Sequence, residues 1–142
     1  MKPTLFEKIA LGLSGLTAFA VGASILFMPH AFYASYGIAL GDDADLLSEL
    51  RAPGAGLVGF GLLMLLGIRR HALLPVSIAA ALTVFIAFPI GRFVGLAVDG
   101  PPSGNVIVAL VVELIVAAFC LAAFRRRIWQ PASRPSTAQP VR

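Results

Sequence analysis

Four long apolar runs constrain the fold of this chain more than any other feature. A helix that crosses the hydrocarbon core of a bilayer, roughly 30 Å thick, needs about 20 mostly apolar residues. Four stretches of the sequence meet this requirement, at residues 9–28, 52–68, 72–98 and 105–124. Because backbone polar groups in lipid must be hydrogen-bonded within their own segment, each stretch is expected to be a helix. The sequence therefore predicts an all-α fold, an integral membrane four-helix bundle within residues 1–128.

The composition excludes most classes of soluble protein. Of 142 residues, 58% are hydrophobic and only 13% are charged, and the mean hydropathy is +0.91. Soluble domains carry roughly a quarter charged residues. The single cysteine, Cys120, rules out an internal disulfide and a CxxC redox pair. Residues 129–142 are basic and rich in proline and serine, which predicts a disordered C-terminal tail.

The beginning of the chain has some features of a cleaved signal peptide. Lys2 and Lys8 precede the first apolar run, and Ala18-Phe19-Ala20 has the small-x-small pattern of a cleavage site. The apolar run nevertheless continues to Met28, which is too long for the hydrophobic region of a signal peptide. We therefore expect an uncleaved first helix.

The distribution of lysine and arginine predicts the orientation in the membrane. With both termini in the cytoplasm, nine basic residues and one acid, Glu7, lie on the inner side. The outer side then has two arginines, Arg51 and Arg92, and six carboxylates. Cytoplasmic loops carry the excess of basic residues in membrane proteins, so both termini are predicted to be cytoplasmic, in a bacterial inner membrane. Because these basic residues lie at helix ends and in the tail, no nucleic-acid partner is expected.

The segment between the first two predicted spans has two parts. Pro29 to Leu40 is aromatic and has no lysine, arginine or carboxylate, so we expect a short helix or turn on the outer surface. Residues 41–49 contain four carboxylates and are predicted to form an acidic loop.

Small residues at four-residue spacing predict helix faces that pack closely, since membrane helices associate through close backbone contact. Such faces support a compact bundle and could equally form an interface with another protein. The predicted faces are Ser14, Ala18 and Gly22 on the first helix, Ala55 and Gly59 on the second, and Gly91 and Gly95 on the third.

Arg92 and Glu113 are charged residues inside predicted spans. Arg92 lies eight residues before Gly100, and Glu113 lies eight residues after Asn105. At about 1.5 Å per residue, both side chains are expected roughly 12 Å below the connecting loop, which predicts a bidentate ion pair. Two interpretations stay open: a structural pair that satisfies itself, or a polar pocket that binds a ligand headgroup or relays protons. The candidate ligand-binding residues are Arg51, Arg92, Asp99 and Glu113.

No catalytic centre, metal site or cofactor is expected. His30 and His71 fall on opposite sides of the predicted membrane, so they are not expected to share a metal or haem. The serines and threonine within the spans have no histidine near them in sequence and are expected to be packing hydroxyls.

The order of several motifs is similar to that of a known family. Arg51 opens a glycine-rich second helix, Gly91-Arg92 precedes Asp99-Gly100-Pro101, and Glu113 lies in the last helix. From about Pro29 to Phe124 the chain resembles small four-helix bacterial membrane proteins that share a domain of unknown function and are distantly DoxX-like in build. The resemblance implies a four-helix fold in a bacterial inner membrane and supplies no reaction.

The sequence-based hypothesis is an accessory subunit that packs against a larger membrane complex or a second copy of the chain. The alternative is a binder or carrier of a small amphiphile, a lipid or a quinone, through the predicted Arg/Glu pocket. A membrane enzyme that uses the same residues ranks third.

Overall fold

The structure, a computed structural model, describes residues 2–129. Its elements, in chain order, are α1 (Leu5–Phe27), α2 (Pro29–Ala34), α3 (Ala44–Arg69), a 3₁₀ turn (His71–Leu73), α4 (Leu74–Asp99) and α5 (Gly104–Ile128). All regular structure in this part of the chain is helical, which confirms the predicted all-α class. The four long helices are long and apolar enough to cross a membrane, so the chain is a small multi-pass membrane protein.

Two helices begin earlier than the predicted spans because polar side chains cap them. At the start of α1, Thr4 Oγ1 accepts a hydrogen bond from the Glu7 amide, and the Glu7 carboxylate accepts one from the Thr4 amide. At the start of α3, the Asp43 carboxylate accepts hydrogen bonds from the backbone amides of Asp45 and Leu46. The predicted acidic loop at residues 41–49 is therefore wrong from Ala44 onward, where the chain is helical.

The bundle has two ends, which contain different elements and are called the terminal end and the α2 end. The terminal end has the start of α1, the end of α5 and the turn between α3 and α4, and the α2 end has α2 and the turn between α4 and α5. The turn between α4 and α5 begins at Gly100, which ends α4. Its φ of +91° is a conformation that glycine adopts readily. The predicted short helix after Pro29 is confirmed as α2. The predicted tail lies outside the described residues except for Trp129.

The closest helix pair is α1 with α3, and glycine makes it close. A Cβ atom at Gly22 would lie 2.6 Å from the Gly54 carbonyl oxygen, and one at Gly61 would lie 2.6 Å from the Phe19 amide nitrogen. Side chains larger than hydrogen would separate the two backbones at these points. The predicted face of α1, Ser14, Ala18 and Gly22, is confirmed as buried.

The small-residue faces predicted on the other two helices do not pack closely within the described bundle. On α3, Gly54 and Gly61 face α1, whereas Ala55 and Gly59 are exposed. On α4, a Cβ atom at Gly91 would meet nothing within 4 Å, so this glycine makes no close helix contact among the described residues.

The four long helices form a ring in which α1 contacts α3, α3 contacts α4, α4 contacts α5 and α5 contacts α1. Across the ring α1 also reaches α4, whereas α3 and α5 do not touch within residues 2–129. The largest fully buried side chains, Leu11, Met64, Leu74 and Phe124, come from all four helices. This core places α5 where it meets α1 at the terminal end and α4 at the α2 end.

Candidate functional site

The candidate site begins with an ion pair between α4 and α5. Arg92 Nε donates to Glu113 Oε2 at 2.8 Å, and Arg92 Nη2 donates to Glu113 Oε1 at 2.8 Å. This is the bidentate geometry predicted from the equal distances of the two residues from the connecting turn. The side chains keep 26% and 16% exposure, so the pair is not fully enclosed by protein.

A cavity of about 890 Å³ lies beside this ion pair. Pockets that hold small molecules are typically about 300–1,000 Å³ with mostly apolar walls. All four long helices contribute apolar residues to its walls, mainly Val21 and Ile25 of α1, Leu57 of α3, Phe85 and Phe88 of α4, and Val106, Ala109 and Val112 of α5. Arg92 and Glu113 supply the charged part of its lining. The site thus combines mostly apolar walls with one charged pair.

The segment that contains α2 covers the cavity. Phe32, Tyr33 and Tyr36 line it from this side. The ring of Phe32 packs against those of Tyr33 and Tyr36, with the centroids 5.3 Å apart in both pairs. Burial raises the pKa of the Tyr33 phenol, with the nearby Tyr36 as a smaller cause, so Tyr33 stays neutral at physiological pH.

Two hydrogen bonds hold this cover against the beginning of α5. Asn105 Nδ2 donates to the Ser35 carbonyl oxygen at 2.8 Å, and Ser103 Oγ donates to the Tyr36 carbonyl oxygen at 3.3 Å. These donors are near residues that line the cavity, so the cover is connected to the same helix that carries Glu113.

The cavity exists because α1 and α5 meet near the terminal end and leave room near the α2 end. Close to the terminal end the rings of Phe6 and Phe119 are in edge-to-face contact, with centroids 4.8 Å apart. Farther along, Val21 on α1 and Ala109 on α5 line the cavity instead.

Of the four candidate residues predicted from the sequence, the structure brings together Arg92 and Glu113. Arg51 is exposed and lines a separate depression of about 510 Å³ with Asp42 and Ser48. Asp99 is exposed at the last position of α4 and is not part of the lining of either space. Within the described residues, no group of three or more His, Cys, Asp or Glu side chains could hold a metal ion.

Sequence reasoning missed the tyrosines as part of the site. The aromatic segment after Pro29 was expected at the membrane surface, but its place over the Arg92–Glu113 pair depends on how α2 packs back onto the bundle. A second ion pair was also missed. Arg127 Nη2 donates to Glu7 Oε2 at 3.0 Å and Arg127 Nε donates to Glu7 Oε1. The available signal was that Glu7 is the one acid among the basic residues of that end.

Comparison with known proteins identifies one family. The family model described as a domain of unknown function (DUF4345) matches residues 6–124. No curated protein and no solved structure shows significant similarity to the chain. The resemblance to a small family of unknown function is thereby confirmed, whereas the likeness to DoxX-like proteins finds no support.

Proposed function

The chain belongs to the DUF4345 family, and since that family brings no reaction with it, we propose from the geometry that the protein binds a small amphiphile in the cavity. The observation that carries the proposal is that the Arg92–Glu113 pair lines a large apolar space. An ion pair with a purely structural role is expected to be closely packed on all sides, because open space beside it gives up packing contacts.

The lining of the cavity favours a molecule with one polar end. Its walls on α1, α4 and α5 are hydrocarbon and aromatic, and they match an acyl or prenyl chain. Its charged groups are confined to Arg92 and Glu113, near which a polar headgroup would lie. A lipid and a quinone are both amphiphiles with an apolar chain and one polar end.

The test is purification in mild detergent followed by mass spectrometry of bound small molecules. Ala109→Phe places a ring in the cavity, and we expect it to remove a co-purifying amphiphile. The matched control is Val111→Phe, two residues away on the same helix, because Val111 is 49% exposed and does not line the cavity. Equal retention in both variants, or no bound amphiphile in the unchanged protein, would contradict the proposal.

A second proposal, an accessory subunit of a membrane complex, is supported by one face of α3. Ala55, Gly56 and Gly59 are exposed there, and a Cβ atom at either glycine would meet nothing within 4 Å. Small residues of this kind let a partner helix approach closely. A membrane protein that co-purifies in fixed stoichiometry and is lost in Gly59→Leu would favour this role. Co-purification unaffected by Gly59→Leu would exclude this face as its contact.

The bacterial inner membrane with both termini in the cytoplasm is part of the same proposal. The support is the basic residues at the terminal end, among them Arg69, Arg70, Arg125 and Arg126, which are all exposed. In this orientation the cavity lies toward the outer side of the membrane.

A further inference from the structure

The hydrogen-bonding groups of the cavity restrict the kind of headgroup that it accepts. A guanidinium has five N–H donors, and Arg92 gives two of them to Glu113. The remaining three have no acceptor among residues 2–129. Each carboxylate oxygen of Glu113 accepts one of the Arg92 bonds and keeps a second lone pair. The three free N–H groups of Arg92 are therefore donors that a ligand oxygen can satisfy.

The other polar side chains of the lining differ in whether they already donate a hydrogen bond within the protein. Thr17 Oγ1 and Ser35 Oγ donate to backbone carbonyls at 2.8 Å and 2.6 Å, and the Asn105 amide donates to Ser35. The Tyr33 and Tyr36 hydroxyls, in contrast, make no hydrogen bond to any residue in the range 2–129. The donors left for a ligand thus include the free Arg92 N–H groups and the hydroxyls of the two phenols.

The formal charge of the lining is balanced. Arg92 and Glu113 cancel each other, and the remaining lining residues are uncharged. A charged headgroup placed here would have no opposite charge of its own and would lose its hydration, which is costly in an apolar surrounding. An uncharged headgroup avoids this cost.

We infer that the ligand is an uncharged amphiphile whose headgroup carries hydrogen-bond acceptor oxygens, such as a ring ketone, an ester or an amide. This inference rests on the proposed amphiphile binding and adds the charge and polarity of the head. The acceptor oxygen receives hydrogen bonds from the free N–H groups of Arg92 and from the tyrosine hydroxyls, while the apolar tail lies along α1 and α5.

The test uses the full chain in phosphatidylcholine nanodiscs and a series of compounds that share a twelve-carbon chain. Radiolabelled N,N-dimethyldodecanamide, which is uncharged and accepts hydrogen bonds, is the probe. Dodecyl phosphate, dodecyltrimethylammonium and dodecane compete as anion, cation and a molecule without a head. Binding to Ala109→Phe, which places a ring in the cavity, measures partition into the lipid.

We expect saturable binding of the amide above that background, with the charged competitors at least about tenfold weaker than unlabelled amide, which corresponds to about 1.4 kcal/mol. Equal competition by all compounds would overturn the inference on the headgroup and leave amphiphile binding intact. Stronger competition by the phosphate or the ammonium would also overturn it. If no compound of the series bound saturably, the proposed function itself would fail.

Single substitutions test the donors individually. Tyr36→Phe removes one hydroxyl and is expected to weaken amide binding about fivefold, the effect of one net hydrogen bond, without changing competition by dodecane. Arg51→Gln is the control, because Arg51 lies outside the cavity, and it is expected to leave binding unchanged. Unaltered amide affinity in Tyr36→Phe, Tyr33→Phe and their double variant would remove the phenols from the site.

Discussion

Arg127, in the last turn of α5, donates two hydrogen bonds to Glu7, in the first turn of α1. The Glu7 side chain is 5% exposed and also caps its own helix. This carboxylate therefore connects the beginning of α1 to the end of α5. Together with Glu113, which pairs with α4 near the middle of α5, Arg127 attaches α5 to its neighbours at two levels. The cavity lies along α5 between its beginning and Glu113, on the side away from Arg127.

Removing Arg127 is expected to destabilise the bundle. Arg127→Gln leaves Glu7 buried without its charged partner, and we expect a loss of about 2 kcal/mol, below the roughly 3–5 kcal/mol of a fully buried pair because Arg127 keeps 21% exposure. The measurement is thermal unfolding in detergent. Arg126→Gln, which removes the exposed neighbouring charge, is the control and should lie within about 0.5 kcal/mol of the unchanged protein. Equal effects of the two changes would contradict a specific role of Arg127.

At the Arg92–Glu113 pair, a double substitution distinguishes the effect of leaving one charge unpaired from the effect of removing both charges. Arg92→Leu alone leaves Glu113 unpaired, and we expect a clear decrease in unfolding temperature. Arg92→Leu combined with Glu113→Leu should recover most of that loss, because hydrophobic residues can replace a paired charge with little net cost. A double variant as unstable as the single one would show that Glu113 is not the main partner of Arg92 for stability.

The contact between α1 and α3 is expected to tolerate no methyl group at Gly22. In Gly22→Ala the new Cβ would lie 2.6 Å from the Gly54 carbonyl oxygen and 2.7 Å from the Val58 amide nitrogen, and backbone atoms cannot move aside locally. We expect a loss of about 1–3 kcal/mol, as for overpacked cores, seen as a lower unfolding temperature. Gly59→Ala, with nothing within 4 Å of its Cβ, should be neutral. A neutral Gly22→Ala would mean that the two helices are farther apart than described.

The orientation can be tested with introduced cysteines, since the native Cys120 is 0% exposed and the unchanged protein should not be labelled. Ala39→Cys reports on the α2 end and His71→Cys on the terminal end, and both positions are exposed. With a membrane-impermeant maleimide on intact bacteria, we expect labelling of Ala39→Cys only, and labelling of His71→Cys after lysis. The reverse pattern would place the termini outside.

Local features of the sequence were sufficient for the helices and for one ion pair. Apolar runs of about 20 residues specify spanning helices because lipid offers no partner for the backbone. The short turn between α4 and α5 makes them antiparallel neighbours, so Arg92 and Glu113 meet at equal distance from it. Helix starts were placed less well, since the caps at Thr4 and Asp43 extend helices into polar sequence.

Only the tertiary structure decided which faces pack and where the cavity lies. In a membrane helix both the lipid-facing and the buried sides are apolar, so hydrophobicity does not distinguish Gly54 and Gly61 from Gly59. The Glu7–Arg127 pair joins residues 120 apart in sequence and requires α1 and α5 to be neighbours in the ring. The tyrosine cover over the Arg92–Glu113 pair depends on the same packing. Thus the sequence determined the membrane-spanning helices through the energetics of the backbone in lipid, and the packing of those helices determined the site.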